Sequence, residues 1–394
     1  MTLRYPIALA SLVSLVVVGS SLAVHGACAQ TGRSRAAERT PEVAGPAAAD
    51  AGGGVAVPAA HTAGSLRIFF ADVAGGQATL FVTPAGQSLL IDTGWPGFNG
   101  RDADRIVALA HRAGLRRIDT VLITHFHIDH VGGAPNLAAR IPIGRFLDHG
   151  DNTEISAGQA DSVETVRAYK AYRKLLGQKR IPRQTVKIGQ ILPIKGVRAE
   201  VVSAAGGVLD KPLLAAIGRD NPACATSPEK PLENGENDQS IGLMMTFGNL
   251  RILDLGDLTW ALERSLVCPV NKLGPVDLFI VSHHGSERSN SPAFVAAIQP
   301  RVAIMDNGAH KGGEPGTFRT LEDPASGVGA LWQLHAAEGV GPELNTTQDR
   351  MANRAGEEGN WIEVDAAPDG TMDVTNGRTG EVMRYSEDVS KHRT

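Results

Sequence analysis

Hydrophobic positions along the chain fall into three regimes. Residues 7–24 form a largely apolar run behind a lone Arg4, followed by Ala-Cys-Ala-Gln with Ala27 and Ala29 in a small-x-small pattern. This predicts a secretory signal peptide over 1–29, cut after Ala29, and hence a secreted or periplasmic chain. An uncleaved anchor is the alternative, since the run is near the lower limit for spanning a bilayer. Residues 30–63 lose all periodicity and become Ala, Gly and Pro with scattered charge. Such a segment buries too little apolar surface to offset its ordering entropy and is expected to be a flexible linker.

Periodicity returns at Leu66. Residues 66–70, 78–83 and 88–91 read as strands of a β-meander, punctuated by Gly75-Gly76 and Pro84-Ala85-Gly86. Residues 101–113 space Ile106, Val107, Leu109 and Ala110 as a helix that stops at Gly114, and a short apolar strand then ends at Thr124. A second helix is expected after Gly132-Gly133, a polar helix over 160–176 and a two-strand stretch over 185–203. Two strands around Gly248-Asn249, a buried strand before His283-His284, and closing strands at 361–364 and 371–374 complete the pattern. One ordered domain over 64–394 is expected, with an irregular basic insertion at about 150–235.

Composition changes this picture in two places. The net charge of -4 argues against a globally basic nucleic-acid binder. Yet Arg167, Lys170, Arg173, Lys174, Lys179, Arg180, Arg183, Lys187, Lys195 and Arg198 follow one another with no acid until Glu200, a run that suits either an anionic substrate or a solvated face. Tyr169 and Tyr172 within it are expected to pack. Loss of the leader would leave Cys224 and Cys268 as an even pair in an oxidising compartment, either bridged or free.

The chemistry concentrates in Thr124-His125-Phe126-His127-Ile128-Asp129-His130, directly after an apolar strand. In extended chain His125 and His127 project to one side, while Asp129 and His130 reach a second point. Asp257 after a strand can bridge two ions through its two oxygens, and the His283-His284 pair can close the second position. Ions about 3.5–4 Å apart would clamp a hydrolytic transition state and supply hydroxide at neutral pH.

These residues, with "FFADVAGGQATLFVTPAGQSLLIDTG", "NDQSIGLMMTFGNLRILDLGD" and "VSHHGSERSNSPAFVAAIQPRVAIMDNG", resemble the metallo-β-lactamase superfamily, and within it the hydrolase domain of DNA-internalisation competence proteins of the ComEC type. The resemblance implies an α/β (α+β) fold, the four-layer αββα sandwich, over most of residues 66–308. It implies that His125 and His127 hold a first ion, that Asp129, His130 and His284 hold a second, and that Asp257 bridges them. The ions would be two divalent cations, Zn2+ first and Mn2+ as the alternative. Asp129 and His283 are assigned to catalysis, His283 as a proton-donating or supporting group. Many members carry a further histidine about where this chain has Glu236-Asn237-Asp238, so that ligand is absent or replaced by oxygen, which favours harder ions. Asp92 and Asp72 are read as structural, Asp92 orienting the ligand loop.

The function this implies is a metal-dependent hydrolase acting on a small-molecule or nucleic-acid phosphodiester. Hydrolysis of a lactone or β-lactam carbonyl, and a non-catalytic metal-containing binding module, are the alternatives.

Overall fold

Alternating apolar side chains build a first sheet from β1 (Leu66–Phe70), β2 (Thr79–Val82), β3 (Ser88–Ile91), β4 (Ile118–Leu122), β5 (Ile143–Asp148) and β6 (Arg183–Thr185). The computed structural model describes residues 64–158, 163–214 and 218–386, so the expected leader and linker lie outside the described residues. The chain then crosses to a second sheet made of β7 (Ile191–Leu192), β8 (Arg198–Ala204), β9 (Gly207–Val208), β10 (Gly242–Phe247), β11 (Leu250–Asp254), β12 (Leu278–Ile280), β13 (Val302–Met305), β14 (Ala330–His335) and β15 (Met351–Asn353). It returns to the first sheet with β16 (Ile362–Ala366), β17 (Met372–Asn376) and β18 (Val382–Tyr385).

The first sheet runs β18-β17-β16-β1-β2-β3-β4-β5-β6 and the second β15-β14-β13-β12-β11-β10-β8-β7, with β9 on β8. The β-meander is antiparallel as expected, and β3, β4, β5 and β6 are parallel, as are β11 to β15. Leu66, Ile68, Phe70, Leu243, Met245, Ile252, Ile280, Ile304 and Trp332 pack between the sheets. The opposite face of the first sheet is covered by α1 (Arg101–Arg112), α3 (Ala134–Arg140) and α5 (Glu164–Lys179), with the one-turn helices α2 (Ile128–Val131) and α4 (Thr153–Ser156) between them in sequence. The outer face of the second sheet is covered by α6 (Trp260–Val267), α7 (Pro292–Ile298) and α8 (Pro315–Glu322). This is the four-layer αββα sandwich. Parallel strands buried on both faces explain the continuous apolar runs of β12 and β13, whose odd and even positions feed different cores.

The structure departs from the sequence reading in the insertion and the C-terminal third. Residues 185–203 do contain a two-strand pair, β7 antiparallel to β8, but it belongs to the second sheet, whereas β6 just before it ends the first. The polar helix begins at Glu164 and continues to Lys179. Beyond Gly308 the chain contributes α8, β14 and β15 as well as the closing strands. The basic run is partly consumed by structure: Arg183 Nε donates to Asp148 Oδ2 at 2.5 Å, Lys179 Nζ to Ala138 O at 2.6 Å and Arg198 Nη2 to Glu200 Oε2 at 2.7 Å. Tyr169 and Tyr172 pack against Phe126, and Cys224 is bonded to Cys268.

Glu263 on α6 is fully buried beneath the turn that carries His283 and His284. Its Oε2 accepts from Ser291 N at 3.2 Å, while Oε1 has no hydrogen-bond partner. Burial pushes its carboxyl up to about 8, against the contrary pull of Ser282 and two backbone N–H groups. Between the ordinary 4.5 and about 8 the folded chain therefore holds a proton that the unfolded chain has released, so stability falls as pH rises through that window. The expected slope is at most about 1.4 kcal/mol per pH unit. Urea unfolding of Glu263→Gln beside the parent across pH 5 to 9 should flatten this slope; parallel curves would show that Glu263 folds ionised.

Candidate metal centre

The side chains that build the site follow the carboxyl ends of parallel strands. β3 leads into Asp92, β4 into the His125–His130 segment, β11 into Asp257, β12 into the His283-His284 turn and β13 into Asp306. Strand ends of this kind open a crevice for ligands. The two sheets touch here, with Ile241 N donating to Thr124 O at 3.0 Å. Gly256, with φ 56°, permits the approach: a Cβ there would lie 2.9 Å from Thr124 Cβ.

The chain bends at Thr124 and His125 after β4, and His127, with extended φ/ψ, then sits at the N-cap of α2, which carries Asp129 and His130. His125 Nε2 lies 2.9 Å from His127 Nδ1 and 3.8 Å from Asp257 Oδ2. On the other side of Asp257, His130 Nε2 lies 3.2 Å from Asp257 Oδ2, 3.4 Å from Asp129 Oδ2 and 3.1 Å from His284 Nε2. His284 Nε2 is 3.3 Å from Asp129 Oδ2 and 3.4 Å from Asp257 Oδ1. Two donor sets result, Asp129-His130-Asp257-His284 and His125-His127-Asp257, each with its ligand atoms within 4.8 Å of one another. All are buried except His127, which is half-buried. His283 belongs to neither set; its Nε2 is 3.3 Å from Asp257 Oδ2 and its Nδ1 3.4 Å from Ser289 Oγ.

The chemistry of these donors fits a divalent ion. Asp92 Oδ2 lies 2.7 Å from His130 Nδ1, and Asp306 Oδ1 lies 3.2 Å from His284 Nδ1. With each Nδ1–H given to its carboxylate, both Nε2 atoms turn lone pairs toward one another, and Asp257 Oδ1 is buried beside them without a hydrogen-bond partner. A cation relieves that arrangement. The electrostatics agree in sign: burial opposes the Asp257 carboxylate, yet His130, His283 and His284 hold it well below the usual range. Burial likewise pulls His284 down, but Asp257, with help from Asp306 and Asp129, lifts it to about 9. His283 moves the other way, to about 4, through burial reinforced by His284, Arg288 and Lys311.

Neither acid at the expected position of a further ligand joins a donor set. Glu236 Oε2 accepts from Phe126 N at 3.1 Å and lies 3.2 Å from His149 Nε2, and Oε1 accepts from Thr153 N at 2.5 Å. It therefore braces the His125–His127 segment from behind. Asp238 accepts from the Thr259 hydroxyl and from Asn234 N. Asp92 is part of the ligand scaffold, its Oδ1 accepting from Thr124 N at 2.8 Å, while Asp72 is bound to His335 Nε2 at 2.6 Å and Arg105 Nη1 at 2.9 Å. Sequence reasoning missed Asp306, although it follows an apolar strand just as Asp257 does. It also missed Lys311, whose Nζ is ion-paired with Asp129 Oδ2 and which no motif marks.

The family model of the metallo-beta-lactamase superfamily matches residues 72–221. ComE operon protein 3 of Bacillus subtilis is 24% identical over 244 residues, 62% of this chain and 26% of that protein. Ribonuclease Z of a Bradyrhizobium strain is 38% identical over 69 residues, 18% of this chain and 21% of that protein. The chain thus spans about a quarter or less of the length of these relatives. Among solved structures, the metallo-beta-lactamase fold protein YhfI of Bacillus subtilis aligns with 76% of this chain and 99% of its own, at 12% identity and a TM-score of 0.38.

Because Asp92 and Asp306 orient ligand rings without joining either donor set, Asp92→Ala and Asp306→Ala should each weaken metal uptake by about 10- to 100-fold. Chelator competition on variants with unchanged circular dichroism measures this. Parent-like affinity would show that other contacts hold the rings.

Proposed function

We propose that this chain, which carries a metallo-β-lactamase superfamily domain, is a secreted or periplasmic metal-dependent phosphodiester hydrolase. The observation that carries the reading is the pair of donor sets that share Asp257. Zn2+ or Mn2+ held there would lower the pKa of an attacking water and neutralise charge developing on substrate oxygens. Asp257 keeps the two sets in register, and Asp129 completes the one that holds His130 and His284. His283, one-tenth exposed and uncharged at neutral pH, presents its ring beside Asp257 and can hydrogen-bond the leaving oxygen.

The charge on one helix favours phosphodiesters over carbonyl compounds. The exposed side of α5 carries Arg167, Lys170 and Lys174 at helical spacing, a basic face that suits an anion. The likeness to ComE operon protein 3 covers most of the domain, and the shorter matches include both a ribonuclease Z and a hydroxyacylglutathione hydrolase, so the relatives support a hydrolase without choosing the bond. The Cys224–Cys268 bond suits maturation in an oxidising compartment, in keeping with the leader read at 1–29.

Residues from Gln30 onward, loaded separately with Zn2+ and Mn2+, should turn over a generic phosphodiester. Asp257→Asn should lower turnover by at least about 100-fold, and chelation should abolish it until metal is restored. His283→Ala should reduce kcat with metal content unchanged. Silence toward the diester with both ions bound, beside turnover of a lactone, would overturn the reading.

A further inference from the structure

Lys311 is a cation placed where a cation is meant to bind. Its Nζ is ion-paired with Asp129 Oδ2, the oxygen that also lies 3.3 Å from His284 Nε2 and 3.4 Å from His130 Nε2. The backbone beneath it is closely fixed. A Cβ on Gly75 would stand 2.8 Å from Lys311 Cβ, Lys311 O accepts from Gly308 N at 2.8 Å, and Gly313 N donates to His284 O at 2.9 Å. The ammonium lies 5.1 Å from the centroid of the Trp95 ring, and the side chain is 39% exposed, so its head group stands at the solvent side of the donor set.

This placement opposes the proposed metal. An ammonium and a divalent ion on the same carboxylate repel, and an ion held by this donor set would compete with Lys311 for Asp129. Arg288, by contrast, is paired outside the donor sets with Glu233. Lys311 thus needs a different anion once metal is in place, one arriving at the mouth of the site. The non-bridging oxygen of a phosphodiester meets that need; a neutral carbonyl does not.

We propose that Lys311 binds the substrate's anionic phosphoryl oxygen, leaving Asp129 when the metal set is filled. This rests on the phosphodiester reading and adds a specificity-determining residue to it. No bond is made or broken at Lys311; its ammonium exchanges one oxygen partner for another.

Calorimetric titration of the Zn2+-loaded chain with diethyl phosphate, a monoanionic diester, and with neutral triethyl phosphate tests it without requiring turnover. The parent should bind the anion and not the neutral ester. Lys311→Ala should weaken diethyl phosphate binding by about 10- to 100-fold, the range for losing a hydrogen bond to a charged group, while Lys311→Arg retains most of it. Zinc content, measured on the same samples, should be unchanged or higher in Lys311→Ala. Equal affinity in parent and Lys311→Ala, absence of diester binding by the parent, or zinc lost together with the diester would each overturn the proposal. Diester binding through Lys311 without hydrolysis would instead sink the hydrolase reading and leave the anion site standing.

Discussion

The centre of this molecule crowds buried imidazoles and carboxylates closer together than they would stand in water. Imidazole nitrogens of His130 and His284 stand 3.1 Å apart, those of His125 and His127 2.9 Å apart, and Asp257 and Asp129 add two buried carboxylates. The carboxylates attract the rings but do not offset the burial of so many polar groups, so the surrounding fold must hold the cluster. Two sheets pressed face to face achieve this, because β4, β11 and β12 all end at the same edge and each releases its ligands after a strand anchored on both faces. The rigidity of the large inter-sheet core is therefore what makes the site possible.

Around that core, a set of acids without direct ligand roles keeps the ligands aimed. Asp92 and Asp306 take the outward nitrogens of His130 and His284, while Glu236 takes the N–H of Phe126 between two ligand histidines. Gln77 Nε2 in turn donates to Asp254 Oδ2 at 2.7 Å, and burial pushes that carboxyl up to about 7, so it joins the network as a partly protonated group near neutrality. The segment from Asp220 to Gly235 is tied down through the Cys224–Cys268 bond, through Arg264 Nη2 on Cys224 O at 3.0 Å and through Lys230 on Glu287 O, before it delivers Glu236.

Much of the first half was legible because its elements carry local signals. The β-meander shows alternation with Gly and Pro turns, α1 shows helical spacing ended by Gly114, and the ligand heptad is dense in metal-binding residue types. β14 and β15 were missed because a parallel strand buried on both faces, such as Ala-Leu-Trp-Gln-Leu-His, lacks alternation, and the Gly-rich text around it reads as loop. The strand pair within 185–203 was legible, but not its sheet: the switch from the first sheet to the second is a tertiary decision with no local mark. Lys311 and Asp306 were invisible as site residues because their partners lie 182 and 22 positions away.

The turn that presents His284 has a consequence of a different kind. His283 and His284 both adopt the left-handed region, at φ 55° each, with Gly285 following at φ 83°. For side-chain-bearing residues that conformation costs of order 1–3 kcal/mol apiece. A chain selected only for robustness would place glycine or asparagine at these positions and fold more securely. The histidine pair is thus a point where endurance and chemistry pull in opposite directions, and attempts to harden this protein against heat will meet their limit there first.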